Sequence, residues 1–193
     1  MSAEARLFCL VTVALALFAV GCKGESRIED APADLRPVAD EPPYLCDLVP
    51  ESSFRRVTGI AAHVSDGWAG PQTDNGLCLA GVSGDEGSLG VNWSYNDGDK
   101  TIRFQQETWS KQPTHPFPPE LGKGLAVVKP TAGAIARPNY VIAVFTCGED
   151  RPWIRIDFAP VTRGRDAVQD MFAFMRIAQK RFGELHKCTP RAS

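Results

Sequence analysis

The sequence predicts an α+β fold: a single antiparallel β-sheet with a short N-terminal helix and a long C-terminal helix packed on it. Three observations lead there. Residues 164–185 carry Val168, Met171, Phe172, Met175, Ala178, Phe182 and Leu185 at three- and four-residue spacing, which lines one face of a helix. Between residues 77 and 158 the apolar residues come mostly in short runs rich in β-branched and aromatic types, separated by turn residues. Near residue 50 a proline, an acid and a later glycine mark the start and stop of a further helix. Helix, strands, then helix is the order expected when helices cover one antiparallel sheet.

The elements follow in chain order. In 47–59, Pro50 suits a first helical turn, Glu51 the positive end of the dipole and Gly59 the stop, with Leu48, Val49, Phe54 and Val57 facing the core. Residues 66–76 form a turn-rich connection, and 77–82 and 88–95 are strands. Asn96-Asp97-Gly98-Asp99 has hairpin chemistry. Residues 101–107 are expected to continue as a strand, with Ile102 and Phe104 alternating against Arg103 and Gln105. Residues 109–124, with Pro113, Pro116, Pro118 and Pro119, form a long loop. Residues 125–128 are a short strand, Asn139–Cys147 a central one, and Trp153–Phe158 an alternating one. No internal repeat is evident.

Of 193 residues, 44% are hydrophobic and 23% charged, the ordinary globular range, and the formal charge is −2. No long basic stripe offers phosphate a counter-charge, so nucleic acid is not an expected partner. The first 21 residues differ from the rest. Arg6 and the free amine give a weakly positive start, partly offset by Glu4, and residues 7–20 are uncharged. That run has the length of a signal-peptide core and falls short of the roughly 20 residues a membrane-spanning helix needs. It ends in Phe18-Ala19-Val20-Gly21-Cys22, which resembles the lipobox of bacterial lipoproteins, where a small residue precedes the cysteine that is acylated. The expected organisation is a signal peptide over 1–21, a lipid-anchored flexible linker over 22–43 and a globular domain over 44–193. Cys22 is the expected lipidation site, since two or three acyl chains anchor stably where one does not.

Cys9 would leave with the leader. Cys46, Cys78, Cys147 and Cys188 remain, and an even number in an exported chain reads as two disulfides. Three pairings are possible. Cys46 with Cys78 and Cys147 with Cys188, each within its own half of the domain, is the preferred one. No two of the four are close enough in sequence for the usual zinc spacing, so no metal is expected.

Cys46-Asp47-Leu48-Val49-Pro50, a short helix ending at Gly59 and then Cys78 resemble actinobacterial lipoproteins grouped as a domain of unknown function. Val49 stands where that pattern has a second Leu. The resemblance implies the first disulfide, the α+β class and display on the outer face of the cell membrane. It carries over no catalytic residue.

Other candidate chemistry is sparse. Gly81-Val82-Ser83-Gly84-Asp85 offers a serine, with His63 and Asp66 as nominal triad partners, but Asp85 stands where a nucleophile elbow needs glycine. Asn96, Asp97 and Asp99 could offer oxygens to calcium, without EF-hand spacing. His63, His115 and His186 are isolated. Met171, Phe172, Phe174 and Met175 would line either a core or a lipid-accepting cavity. The expected function is therefore a cell-envelope lipoprotein acting as a non-enzymatic binding or accessory module, without a cofactor, engaging an envelope protein or lipid. A carrier of an apolar envelope ligand and a serine hydrolase are the alternatives.

Overall fold

The computed structural model describes residues 34–83, 87–129 and 137–193. The expected leader, Cys22, the linker as far as residue 33, and Gly84 and Asp85 of the serine motif lie outside them. Among the described residues no helix is long and apolar enough to cross a membrane.

The described chain is mixed α/β, with three α-helices and a large antiparallel sheet. It opens with two two-residue strands, β1 (Tyr44–Leu45) and β2 (Val49–Pro50), joined by a turn in which Leu48 N–H donates to Leu45 O at 3.1 Å. Cys46 and Asp47 both have positive φ, 50° and 58°, as a primed hairpin turn requires. The helix expected over 47–59 is thus shorter: α1 spans Glu51–Thr58, with Pro50 as its N-cap and Gly59 (φ 73°) as its C-cap. Leu48, Val49, Phe54 and Val57 are all buried as expected.

Seven strands form the main sheet. They are β3 (Ser65–Ala69), β4 (Asn75–Gly81), β5 (Leu89–Ser94), β6 (Lys123–Val128), β7 (Asn139–Cys147), β8 (Trp153–Phe158) and β9 (Pro190–Ala192). Their order is β3-β4-β5-β8-β7-β6, with β9 pairing the far end of β7, and every pairing is antiparallel. Two three-stranded meanders are therefore joined where β5 meets β8. The single-sheet expectation needs correction by the small β1–β2 pair. The connection over 66–76 also contains β3, an exposed edge strand that its Asp, Gly and Ser content concealed.

The larger correction concerns 96–107. This segment is not a hairpin followed by a strand but a helix, α2, spanning Gly98–Thr108. Asp97 adopts a left-handed conformation (φ 58°), and its carbonyl accepts the Thr101 N–H at 2.8 Å, closing the first helical turn. Alternation of Ile102 and Phe104 fits a strand only if both face the core. Ile102 is buried, whereas Phe104 is 62% exposed. The helical face instead pairs Ile102 with the half-buried Trp109 one heptad on.

The last helix, α3, spans Ala167–His186. Asp166 caps it, accepting the N–H groups of Val168 (2.9 Å) and Gln169 (3.2 Å). The main core lies between α3 and α1 on one side and one sheet face on the other. It holds Val91, Trp93, Val141, Ala143, Phe145, Ile154, Ile156 and Phe158. The alternate residues of β6 and β7, Leu125, Val127, Tyr140, Ile142 and Val144, form a second cluster with Ile102 on the opposite face, under α2.

Residues 34–43, assigned to the linker from sequence, lie against this body. Arg165, whose side chain is only 4% exposed, pairs with Asp170 at 2.6 Å and donates to the carbonyls of Asp34 (2.6 Å) and Arg36 (3.1 Å). Ser53 Oγ accepts the Ala39 N–H at 2.9 Å, and Lys180 pairs with Asp40 at 2.6 Å.

Two outcomes are expected. Ile102→Ala costs about 2–5 kcal/mol in urea unfolding, whereas Phe104→Ala stays within about 0.5 kcal/mol; comparable losses would restore the strand assignment. Arg165→Leu leaves Asp170 buried without its partner and costs about 3–5 kcal/mol, with faster proteolysis around residue 36.

Candidate functional site

On the main-core side the sheet is covered by α1 and α3. On the other side α2 reaches only the β6–β7 end, so among the described residues no helix lies on the β4–β5–β8 part of that face. Antiparallel register fixes what lies there. Leu79 pairs with Gly90, Gly90 with Asp157, and Asp157 with Tyr140. In the next row Leu77 pairs with Asn92, Asn92 with Arg155, and Arg155 with Ile142. Directly paired residues point to the same side of a sheet. The face thus runs from two partly exposed leucines, through a charged centre, to the apolar patch beneath α2.

At the charged centre, Asp157 has a side chain only 8% exposed and receives two guanidinia. Arg137 Nε lies 2.8 Å from Oδ2 and Arg155 Nε 3.3 Å from Oδ1. Lys129, at the end of β6, brings a third cation. Its Nζ donates to the Arg137 carbonyl at 3.3 Å and sits 5.1 Å from the Tyr140 ring centre and 5.6 Å from that of Trp109. Burial lowers the Lys129 pKa below the ordinary lysine range; Arg155 and Arg137 lower it further and Asp157 opposes them. Tyr140 is 4% exposed, and burial pushes its phenol upward, so it stays a neutral donor.

This centre is not internally satisfied. Among the described residues three cations face one carboxylate, a formal surplus of two positive charges. Tyr140 Oη and Arg137 Nη1 are buried without a hydrogen-bond partner among the described residues. Arg155 Nε and Asp157 Oδ1 are close but not aligned as a hydrogen bond. Each buried orphan costs about 1–3 kcal/mol. Gly90 makes the crowding possible: a Cβ there would lie 3.0 Å from Arg137 Nη1 and 3.1 Å from both Asp157 oxygens.

The residues singled out from sequence lie elsewhere. Cys46 bonds to Cys78 and Cys147 to Cys188, with Cα separations of 5.8 and 5.3 Å, the within-half pairing. Loops of 32 and 41 residues give about 3–4 kcal/mol each by chain entropy. Both sulfurs of the first pair and an Asp66 oxygen lie within 4.8 Å of one another, a potential metal set in the reduced protein. In the disulfide neither sulfur is a thiolate, and Asp66 Oδ2 accepts the Cys46 N–H at 2.5 Å.

Ser83, His63 and Asp66 make no hydrogen bonds to one another among the described residues. His63 Nδ1 lies 3.4 Å from Glu51, and Ser83 is exposed beyond the end of β4. Asp99 pairs with Arg151 at 2.7 Å, and the Asn96 main-chain carbonyl accepts the Trp153 indole N–H at 2.8 Å. Met171, Phe174 and Met175 are fully buried, with Phe174 edge-on to Phe158 at 5.4 Å. The proline-bearing loop crosses between the two sheet faces, placing Phe117 edge-on to Phe172 at 5.4 Å and leaving His115 exposed. A groove of about 760 Å³ beside the C-terminal half of α3 is lined in part by paired charges, Arg176 with Glu120 (2.9 Å) and Lys180 with Asp40 (2.6 Å), and also by Lys187.

Among these residues His186 has a distinctive environment. It stacks on Phe182 at 4.0 Å and meets the edges of Trp93 and Tyr95. Burial lowers its pKa below the ordinary histidine value.

The described residues thus form a disulfide-stapled α/β domain whose sheet face beside α2 carries a cationic cluster that they leave unsatisfied. No protein-family model matches the chain, and comparisons with curated proteins and with solved structures found no match.

Because folded His186 binds its proton less readily than the unfolded residue, its contribution is full above about pH 6.5 and is lost as pH falls through the lowered value. Urea midpoints should therefore drop between pH 7 and 5, and the drop should shrink in His186→Phe; an unchanged slope would remove His186 as its source.

Proposed function

We propose that this chain is an extracytoplasmic lipoprotein, acylated on Cys22 and held at the outer face of the cell membrane, where its domain acts as a non-enzymatic binding or accessory module. The two disulfides suit an oxidising, extracytoplasmic compartment. An uncharged leader ending at Gly21-Cys22 supports the anchor, and the resemblance to actinobacterial lipoproteins of unknown function supports the address. The observation that carries the binding role is the cluster around Asp157, where three cations gather about one carboxylate and Tyr140 Oη and Arg137 Nη1 have no protein partner among the described residues. A binding module for an envelope component accounts for that arrangement better than a carrier with an internal apolar cavity, since the Met and Phe residues such a cavity would use are packed in the core.

The anchor is testable in cells. The wild-type chain should sediment with membranes, require detergent for release, and yield an acylated N-terminal peptide by mass spectrometry. Cys22→Ala should release it into the soluble extracytoplasmic fraction. An unmodified terminus on a membrane-free wild-type chain would overturn the proposal.

A further inference from the structure

The geometry points to an oxyanion site of the phosphate class on the half-open sheet face, formed by Lys129, Arg137, Arg155 and Tyr140, with Asp157 as the residue that positions the two guanidinia. The inference deepens the binding-module reading and rests on it for the source of the ligand.

Four features argue for an anion. The cluster carries three cations against one carboxylate, so its formal charge is left uncompensated among the described side chains. Asp157 engages both arginines through Nε, and no Nη atom of either makes a hydrogen bond among the described residues. Apart from the buried Arg137 Nη1, those Nη atoms are the donors that phosphate oxygens accept. Tyr140 adds a neutral hydroxyl that is nine-tenths buried and unpartnered. Its ring and that of Trp109 form an apolar wall behind Lys129, which strengthens any charge pairing there by excluding water.

The charge surplus among the described residues favours a phosphate over a simple carboxylate, because a phosphate group carries up to two negative charges and presents several acceptor oxygens. The surroundings add a second element of recognition. Leu79 and Leu77, 44% and 37% exposed, lie two strands away on the same face. A phosphate bearing an apolar substituent would meet both, the arginines at its head and the leucines along its tail. The phosphate of a lipid headgroup and that of a soluble ester share the same recognition chemistry at the cations, and the two sources separate experimentally.

The primary test is calorimetric titration of inorganic phosphate into the full chain in detergent micelles, with ionic strength held constant by chloride. Saturable binding is expected. Lys129→Gln and Arg155→Gln should each weaken it by at least about tenfold, the loss of one charge-assisted contact. Tyr140→Phe should weaken it severalfold, and Lys100→Gln on α2 should leave it unchanged. Should Arg155→Gln unfold, Lys129→Gln and Tyr140→Phe, which leave both arginine–Asp157 pairs in place, carry the test. No heat beyond that of chloride, or wild-type affinity in those two variants, overturns the site.

Flotation of the Cys22→Ser chain then separates the sources, using phosphatidylcholine vesicles with and without phosphatidylglycerol. Binding to the phosphatidylglycerol vesicles that inorganic phosphate displaces assigns a lipid headgroup. Phosphate binding without flotation assigns a soluble phosphate ester. Flotation that neither phosphate nor Lys129→Gln reduces overturns the site. Lack of phosphate binding in a chain that still carries acyl groups on Cys22 removes the site and leaves the anchor, whereas phosphate binding by a chain that is never acylated does the reverse.

Discussion

Strand β7 is buried on both faces along nearly its whole length, and the architecture follows from that constraint. A strand with Val141, Ala143 and Phe145 on one side and Tyr140, Ile142 and Val144 on the other has no side it can present to water. Both faces of the sheet need cover at β7. The 20-residue α3 supplies it on one side. On the other, the 11-residue α2 has to arrive from the far end of β5 and lie across β6 and β7. Gly98 lets the helix start close to the sheet, because a Cβ there would lie 3.1 Å from a Val144 methyl.

The charged cluster sits at the boundary where that second layer stops. A helix of 11 residues is about 16 Å long and spans only a few strands spaced about 4.8 Å apart. Beyond it no described helix covers the sheet, and the residues of β8 on that face change from the Trp153 ring to the Arg155 guanidinium and the Asp157 carboxylate. The fold thus explains why polar groups occur at this place. It does not require three cations for one acid, nor a buried phenol without a partner, among the described residues, and those excesses are what set the cluster apart from an ordinary sheet margin.

Much of this was legible in the sequence wherever one local pattern decided the outcome. The periodicity of α3, the alternation in Trp153–Phe158 and the β-forming run of Asn139–Cys147 each identify an element without reference to the others. Segments whose state depends on tertiary cover were not legible. Asp97-Gly98 can close a hairpin or start a helix, and the apolar surface under Ile102 and Trp109 selects the helix. Ser65-Asp66-Gly67 has little intrinsic strand preference, and β3 forms through its pairing with β4. The cluster was half legible: Arg155 and Asp157 alternate with Ile154 and Ile156 and so must share a face. Their meeting with Lys129 and Arg137 depends on the β6–β7 register, where Lys129 N–H donates to Pro138 O at 2.8 Å, and no local pattern in the sequence encodes it.

The covalent staples are unevenly distributed between the layers. Cys46, Cys78, Cys147 and Cys188 all belong to the core shared by α1 and α3, whereas the layer under α2 is held by side-chain packing and exposed ion pairs such as Asp99–Arg151, with no disulfide among the described residues. Cooperative units of one protein open at different free energies, and the unit with fewer ties opens first. Undocking of α2 would expose Leu125 and Ile142 while every crosslink stayed intact. Amide exchange should accordingly resolve two tiers, a slow one in α3 and the strands beneath it and a faster one in α2.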